Sequence, residues 1–170
     1  QRKASLPFVD VTQGDYYYDA VAWALANGIT EGHDPTHFGP ADICKRSQAV
    51  TFLWRAKGCP KPALTKENFV DVAPDDWWYE PVLWALENGI TEGNDPTHFD
   101  PDQTCSFAHI LTFLWRTMGR PGDTGSEATA EWYADAMRWA ESEGMLVRSV
   151  LPAEDCPRAD VVYSIYQYRN

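Results

Sequence analysis

Arginines at the start of two predicted helices offer the most specific binding chemistry in this chain. Arg46 and Arg158 each stand two positions after a cysteine. An arginine in a first helical turn combines a planar, bidentate hydrogen-bond donor with unpaired backbone N–H groups and the positive end of the helix dipole. Because this combination suits a carboxylate, we predict that both arginines bind an acidic ligand. Phe107 stands two positions after a third cysteine, Cys105, in a similar segment of the chain. The presence of phenylalanine there indicates that the fold does not require the arginine.

Histidines and carboxylates raise the questions of metal binding and catalysis. His37 lies near Asp34 and Glu31 in the sequence. The same motif, Asp-Pro-Thr-His-Phe, recurs with His98, but there an asparagine stands in place of His33. We therefore predict that His37 hydrogen-bonds within its own turn and binds no metal. The sequence lacks the Gly-x-Ser-x-Gly, His-Glu-x-x-His and phosphate-binding glycine motifs, and nothing singles out a pair of carboxylates. We predict neither catalysis nor a cofactor.

A long internal repeat determines where these residues recur. Residues 8–60 and 69–121 align without a gap at a shift of 61, with 30 identities in 53 positions. Both copies contain Trp-Ala-Leu, Asn-Gly-Ile-Thr-Glu-Gly, Asp-Pro-Thr-His-Phe and Thr-Phe-Leu-Trp-Arg. A unit of this size usually cannot bury its own apolar face, so we expect the copies to pack on one another and to repeat any binding surface.

A third copy is shorter and more diverged. Residues 132–144 align with residues 16–28 at a shift of 116, and the shift falls to 112 at Cys156, so the loop between them is four residues shorter. We predict one cooperative module made of three repeats, which span residues 1–62, 63–121 and 122–170.

Each copy is predicted to form a helix, a loop and a second helix, which makes the fold all-α. The first helices are expected around residues 16–27, 77–88 and 131–143. The second helix of the first copy is expected near residues 46–57, because apolar residues recur there at helical spacing. Gly28 should end the first helix, and Ile29 and Phe38 should hold the following loop to the core.

Recurring aromatic and sulfur side chains are predicted to be structural. Core or inter-repeat packing is the favoured role for five tryptophans: Trp23, Trp54, Trp84, Trp115 and Trp139. The same aligned position, here called the cysteine slot, holds a cysteine in each copy: Cys44, Cys105 and Cys156. These cysteines are expected to be small buried residues, and a disulfide among them is the less favoured alternative. No Cys-x-x-Cys spacing indicates zinc. Arg55 and Arg116 are expected to form a structural salt bridge or to extend along the surface.

Composition restricts the class of partner. The chain has 170 residues, 44% hydrophobic and 14% aromatic, enough for one sizeable core. Twenty-five acidic and 14 basic residues give a net charge of −11, which argues against nucleic acid or an anionic membrane as partner. No segment has the pattern of a membrane span or a signal peptide. We expect the chain to be part of a longer protein, so the lack of a signal says little about export.

The order of the motifs resembles the S-layer homology domain over nearly the whole chain. The matching elements are Phe-x-Asp-Val, an aromatic residue, an amphipathic helix, Gly-Ile-x-x-Gly, Phe-x-Pro and a helix that opens with arginine. The resemblance implies a three-pronged, pseudo-threefold module around a central helical bundle. It also implies that grooves between the prongs bind secondary cell-wall polysaccharide of Gram-positive bacteria, often with pyruvylated sugars, and so anchor surface proteins to the wall.

The resemblance also implies which residues line the grooves. The family's Thr-Arg-Ala-Glu hallmark falls on residues 45–48, 106–109 and 157–160, where only Arg46 and Arg158 keep the arginine. Its other groove positions correspond to Asp10, Asp71, Tyr16, Trp77, Trp132, Gly32 and Gly93. Because the third copy lacks the second loop glycine and the second copy lacks the arginine, we predict one or two working grooves.

These observations predict a module at the cell surface that binds an anionic cell-wall polysaccharide. The negative charge of the protein would repel such a polymer at long range, so binding should depend on short-range contacts and on avidity. The alternative is a repeat scaffold that uses the same grooves for contact with other surface proteins or for self-assembly. Sensitivity of binding to Arg46→Ala and to removal of the polysaccharide would separate the two hypotheses.

Overall fold

The computed structural model describes residues 5–169, and this part of the chain is helical with no β-sheet. Its helices are α1 (Tyr18–Ala26), α2 (Arg46–Ala56), α3 (Tyr79–Glu87), α4 (Phe107–Thr117), α5 (Ala134–Ser142) and α6 (Arg158–Gln167). A short 3-10 turn, Ser126–Ala128, precedes α5. The predicted all-helical fold, with two helices in each copy, is confirmed.

The first helix of each copy begins two or three residues later than the sequence pattern predicts. Before α1, the Asp15 carboxylate accepts a hydrogen bond from the Thr12 N–H at 2.8 Å, and its backbone carbonyl accepts from the Tyr18 N–H at 3.0 Å. This turn holds Tyr16 outside the helix. The predicted C-terminal glycine is confirmed, because Gly28 follows α1 with a φ of +70°, a conformation that glycine adopts without strain.

Helices pack mainly on helices from other copies. Helix α3 packs on α2, α5 packs on α4, and α1 packs on α6. The second helices α2, α4 and α6 also contact one another. Each copy therefore completes its packing with a helix from a neighbour, as expected for a unit too small to form its own core.

Backbone hydrogen bonds join the three copies in a ring at the cysteine slot. The Cys44 N–H donates to the Cys156 carbonyl at 3.0 Å, the Cys156 N–H to Cys105 at 2.8 Å, and the Cys105 N–H to Cys44 at 2.7 Å. All three thiols are free and fully buried, whereas Cys59 is free and exposed. The prediction that the repeated cysteines are small buried residues is confirmed.

The core agrees with the predicted apolar positions. Ile29 and Phe38 are almost completely buried, so the Gly- and Pro-rich loop is held to the core. Burial of a side chain of this size contributes about 1.5–3 kcal/mol. Trp84, Trp115 and Trp139 are buried, and the remaining predicted tryptophans pack against the edge of the core: Trp23 and Trp54.

Candidate functional site

Two surface grooves each collect residues from three copies of the repeat. Groove A contains Gly32 after α1, Arg55 at the end of α2, Trp77 before α3 and Arg158 at the start of α6. It encloses about 590 Å³ of empty space. Three residues that the sequence analysis assigned to a ligand site, Gly32, Trp77 and Arg158, are therefore brought together by the fold.

Groove B repeats this arrangement one copy further along the chain. It contains Gly93 after α3, Arg116 at the end of α4, Trp132 before α5 and Arg46 at the start of α2, and it encloses about 710 Å³. Each residue corresponds to a member of groove A in the alignment of the copies. The fold thus brings Gly93, Trp132 and Arg46 together as well.

The hallmark arginines are buried at the edges of these grooves. Arg46 is only 2% exposed, and its Nε donates to the Phe99 carbonyl at 2.9 Å. Its guanidinium carbon lies 4.9 Å from the ring centre of Phe99 and 5.3 Å from that of Phe113, as in cation–π contacts with two rings. Burial lowers the pKa of Arg46 from its ordinary value. This side chain is therefore a packing element, a role that the replacement by phenylalanine in another copy did not predict.

Arg158 has the same environment in groove A. It is 5% exposed, its Nε donates to the Phe38 carbonyl at 2.9 Å, and its guanidinium carbon lies 5.0 and 5.3 Å from the ring centres of Phe38 and Phe52. Only the part of each guanidinium that faces the groove is left for a ligand. The predicted ligand contacts of both arginines stay predictions.

The predicted aspartates lie outside the residues that line the grooves. The two carboxylate oxygens of Asp10 accept hydrogen bonds from the N–H groups of Phe38 and Gly39, both at 2.9 Å. Asp71 accepts equivalent bonds from Phe99 and Asp100 at 3.0 and 2.8 Å. Partial burial opposes ionisation of Asp10, but the two backbone N–H groups outweigh it and lower its pKa. Each aspartate thus positions the loop whose phenylalanine carbonyl receives a hallmark arginine.

The loop glycines are required by the backbone and by close packing. Gly32 has a φ of +94°, and a Cβ placed there would lie 2.4 Å from Cε1 of Phe8. Gly93 has a φ of +88° and would meet Phe69 at the same distance. Both conditions exclude a side chain at these positions, so each groove keeps an open wall of bare backbone.

The corresponding region between the second, third and first copies is closed. We call it interface C and define it by Tyr16, Phe107, Arg148 and Asp160. Arg148 aligns with the groove glycines, and its guanidinium carbon lies 5.7 Å from the ring centre of Phe107. The cavity beside them encloses only about 230 Å³.

Tyr16 belongs to interface C and lines neither groove A nor groove B. Its hydroxyl donates to the Asp160 carboxylate, and its ring packs edge-on against Tyr163 with centroids 5.4 Å apart. Burial and the nearby Asp160 carboxylate raise the pKa of Tyr16, so the hydroxyl keeps its proton. Tyr16 is 49% exposed and Trp77 is 56% exposed, so the two residues differ in their contacts rather than in exposure, and only Trp77 lines groove A.

Grooves A and B differ in one aromatic neighbour. The His109 ring lies nearly parallel to Trp132, with centroids 5.9 Å apart, and its Nδ1 accepts the Ser106 N–H at 3.0 Å. Burial, and then the positive charge of Arg46, lower the pKa of His109 to about 4. Groove A has Gln48 at this position, and its side-chain oxygen accepts the Lys45 N–H at 2.9 Å.

The larger difference between the grooves is an ion pair. In groove B the Glu127 carboxylate contacts the guanidinium groups of Arg116 and Arg120, so the salt bridge predicted for Arg116 is present. Arg55, its counterpart in groove A, donates to the Ile29 carbonyl at 3.2 Å. Among residues 5–169, Arg55 has no carboxylate partner.

Four residues that line the grooves were not predicted from the sequence to do so: Arg55, Arg116, His109 and Glu127. The identical arginine in both copies was a usable signal, because it ends a helix next to the glycine loop. No comparable signal marked Glu127, which lies in the linker between copies. His37 hydrogen-bonds within its turn, with Nδ1 3.1 Å from Asp34, as predicted.

Residues 5–169 contain no cluster of three or more histidine, cysteine or carboxylate side chains that could hold a metal ion. Within the same range, no helix has the length and apolar character needed to cross a bilayer.

The chain is similar to a known domain family and to individual surface proteins. The family model of the S-layer homology domain matches residues 7–50 and 68–110. A cell surface protein of Thermoanaerobacter kivui is 32% identical over 120 residues, which cover 68% of this chain and 16% of that protein. The surface-layer 125 kDa protein of Lysinibacillus sphaericus is 32% identical over 130 residues, or 75% of this chain and 10% of that protein.

A more distant relative is the S-layer protein sap of Bacillus anthracis, 24% identical over 89 residues, which cover 49% of this chain and 11% of that protein. The matched region thus spans between a tenth and a sixth of the length of these relatives.

Proposed function

Because this chain belongs to the S-layer homology domain family, we propose that it anchors a cell-surface protein to the envelope by binding an acidic cell-wall polysaccharide in grooves A and B. Its place at the cell surface follows from the family and from the surface proteins to which it is similar. The role proposed is structural and involves no catalysis. The observation that carries the proposal is that two grooves repeat one set of residues: two arginines, a loop glycine and an aromatic side chain.

The chemistry of this set suits an acidic sugar. A tryptophan presents an apolar face on which a sugar ring can stack, and a guanidinium donates two parallel hydrogen bonds to a carboxylate. Trp77 is more than half exposed, and Arg55 and Arg158 line the same groove. The carboxylate of a pyruvate ketal, which is attached to the sugar, would satisfy both requirements together.

We also infer that the three copies are related by a pseudo-threefold axis. The ring of hydrogen bonds through Cys44, Cys105 and Cys156 supports this inference, and so does the cyclic pairing of α1 with α6, α3 with α2 and α5 with α4. An arrangement of this kind places the grooves on different sides of one module. Two grooves could then engage one polymer or neighbouring polymers, which raises the apparent affinity through avidity.

Sedimentation with cell-wall sacculi from the source organism tests the proposal. We expect the purified chain to pellet with intact walls and to stay in solution once the secondary polysaccharide has been removed chemically. Trp77→Ala should lower the bound fraction severalfold without loss of helical structure, because the side chain is exposed. Val70→Ala, at a position 74% exposed that lines neither groove, is the matched control.

Sedimentation that persists after the polysaccharide is removed would contradict the proposal. That result would favour the alternative, in which the grooves contact another surface protein or a second copy of the chain.

A further inference from the structure

Glu127 in groove B occupies the place where an acidic ligand would meet an arginine. One of its carboxylate oxygens contacts both Nε and Nη2 of Arg116, and the other contacts Nη1 of Arg120. The Glu127 side chain is 24% exposed and lines the groove, with Thr129 beside it. Two guanidinium groups thus hold a carboxylate supplied by the protein itself, the same interaction that an acidic sugar would make.

The turn that carries Glu127 is anchored by a buried aspartate. Both carboxylate oxygens of Asp135 accept hydrogen bonds from Thr124, at 2.7 Å from the backbone N–H and 2.7 Å from the hydroxyl. The Asp135 N–H in turn donates to the Ser126 hydroxyl at 3.4 Å. Asp135 is only 2% exposed. Glu127 is therefore presented by an ordered segment at a defined position.

Groove A keeps the counterpart of Arg116, which is Arg55, but it has no counterpart of Arg120 or of Glu127. Cys59 stands where Arg120 stands in the next copy, with a similar positive φ of 54° against 58°. The linker after Cys59 places no carboxylate among the residues that line groove A. Arg55 keeps the contact that Arg116 also makes, since Nη1 donates to Ile29 at 3.2 Å in one groove and to Ile90 at 2.8 Å in the other. The remaining N–H groups of Arg55 have no carboxylate partner among the described residues.

We propose that Glu127 is a built-in competitor that weakens the binding of acidic sugars in groove B, and that groove A is the stronger site, with Arg55 as its carboxylate-binding residue. The proposal rests on the proposed function, because it assumes that the grooves receive an acidic sugar. It adds a ranking of the two grooves and assigns a ligand contact to an arginine that is not part of the hallmark.

The reporters are the indole N–H of Trp77, which lines groove A, and that of Trp132, which lines groove B and an adjoining pocket beside Tyr133. The probe is the methyl glycoside of a 4,6-pyruvylated hexose, and its uncharged methyl ester is the control. We would titrate the isotope-labelled chain and follow both indole signals by two-dimensional NMR, with assignments from Trp77→Phe and Trp132→Phe. In the unmodified chain, the Trp77 signal should respond at a probe concentration at least tenfold lower than the Trp132 signal.

Glu127→Gln keeps the shape of the side chain and removes its charge. It should lower the probe concentration needed to shift Trp132 by about tenfold or more, in line with a hydrogen bond to a charged group. The response of Trp77 should not change. Glu141→Gln, at an exposed position in α5, is the matched control for the change in net charge.

Arg55→Gln tests the proposal from the other groove and does not disturb the Glu127 turn. It should weaken the Trp77 response tenfold or more and leave Trp132 unchanged, whereas Lys57→Gln should alter neither signal. An unchanged Trp132 response in Glu127→Gln, or an unchanged Trp77 response in Arg55→Gln, would overturn the inference. If neither indole responds to the probe in any variant, the proposed function of the grooves itself fails.

Discussion

Grooves A and B and interface C correspond to one another in the aligned copies, yet only the grooves are open. Each groove combines a buried arginine with a loop glycine that has a positive φ. In interface C, Phe107 replaces the arginine and Arg148 replaces the glycine, and the new arginine lies over the new ring. Interface C therefore differs from the grooves by two exchanged residue types and by a loop that is four residues shorter in the third copy.

A second comparison separates the two open grooves. Their arginines, glycines and aromatic side chains match, but groove B also contains Glu127 and the imidazole of His109. Both additions come from the more diverged parts of the repeat. Similar shape does not ensure similar affinity, because Glu127 occupies guanidinium N–H groups that an acidic ligand would otherwise contact.

The largest expected effect would come from truncation of a buried groove arginine. Arg46→Ala should lower the free energy of unfolding by about 3 kcal/mol or more, because it leaves a cavity between two rings and an unpaired Phe99 carbonyl. Arg46→Phe, which copies interface C, should lose less because the ring fills the space, and it should close groove B. Urea denaturation of both variants would measure the difference, and Lys57→Ala at an exposed position is the control.

Equal stability of Arg46→Ala and the unmodified chain would show that burial of the arginine contributes nothing. The packing role assigned to the hallmark arginines would then be wrong.

Replacement of the groove glycine should have the second-largest effect on the free energy of unfolding. Gly32→Ala should cost about 2–3 kcal/mol, because it combines a left-handed backbone with a Cβ placed 2.4 Å from Phe8. Gly28→Ala is the matched control, since it has a φ of +70° and no heavy atom within 4 Å of the added Cβ, so it should cost only about 1 kcal/mol. Thermal unfolding of the two variants would compare these values. Losses of equal size would mean that the contacts of the added Cβ with Phe8 and with the carbonyl oxygens of Asp34 and His37 are easily relaxed.

The smallest expected effect concerns pH and distinguishes groove B from groove A. The pKa of His109 is lowered from 6.5 to about 4 in the folded chain, so the unfolded chain binds the proton more tightly. The folded state is therefore most stable above pH 6.5, where the imidazole is neutral in both states. Its stability falls as the pH is lowered towards 4, because the unfolded chain takes up the proton first. His109→Gln, which copies groove A, should remove on the order of 2 kcal/mol of this pH dependence.

Unfolding free energies measured between pH 7 and 4 would test this effect. If His109→Gln leaves the pH dependence unchanged, burial of the imidazole does not govern acid sensitivity.

The secondary structure and the core could be predicted from sequence because their signals are local or periodic. Apolar spacing located α2 almost to the residue, and a glycine marked the end of α1. The start of α1 was placed too early, because the Asp15 turn competes with the helix for the same backbone groups. Repetition of Ile29 and of the cysteine slot identified buried positions without any knowledge of their partners.

The candidate site was predicted only in part. Gly32, Trp77 and Arg158 do share a groove, whereas Tyr16 and Asp10 make contacts elsewhere. Residue type indicated what each side chain could bind. It did not indicate which group inside the protein would form a hydrogen bond with that side chain instead. The hydroxyl of Tyr16 donates a hydrogen bond to Asp160, and two backbone N–H groups donate hydrogen bonds to the carboxylate of Asp10.

The sequence by itself determined the repeat, the helices, the loop glycines and the family, because each of these depends on short segments and their spacing. Only the tertiary structure decided which copies share a groove, how deeply the hallmark arginines are buried and which arginine is neutralised by Glu127. Those outcomes depend on contacts between distant segments, such as that of Arg158 with the Phe38 carbonyl. Spacing along the chain specifies which groups are available, whereas packing in three dimensions determines which of them meet.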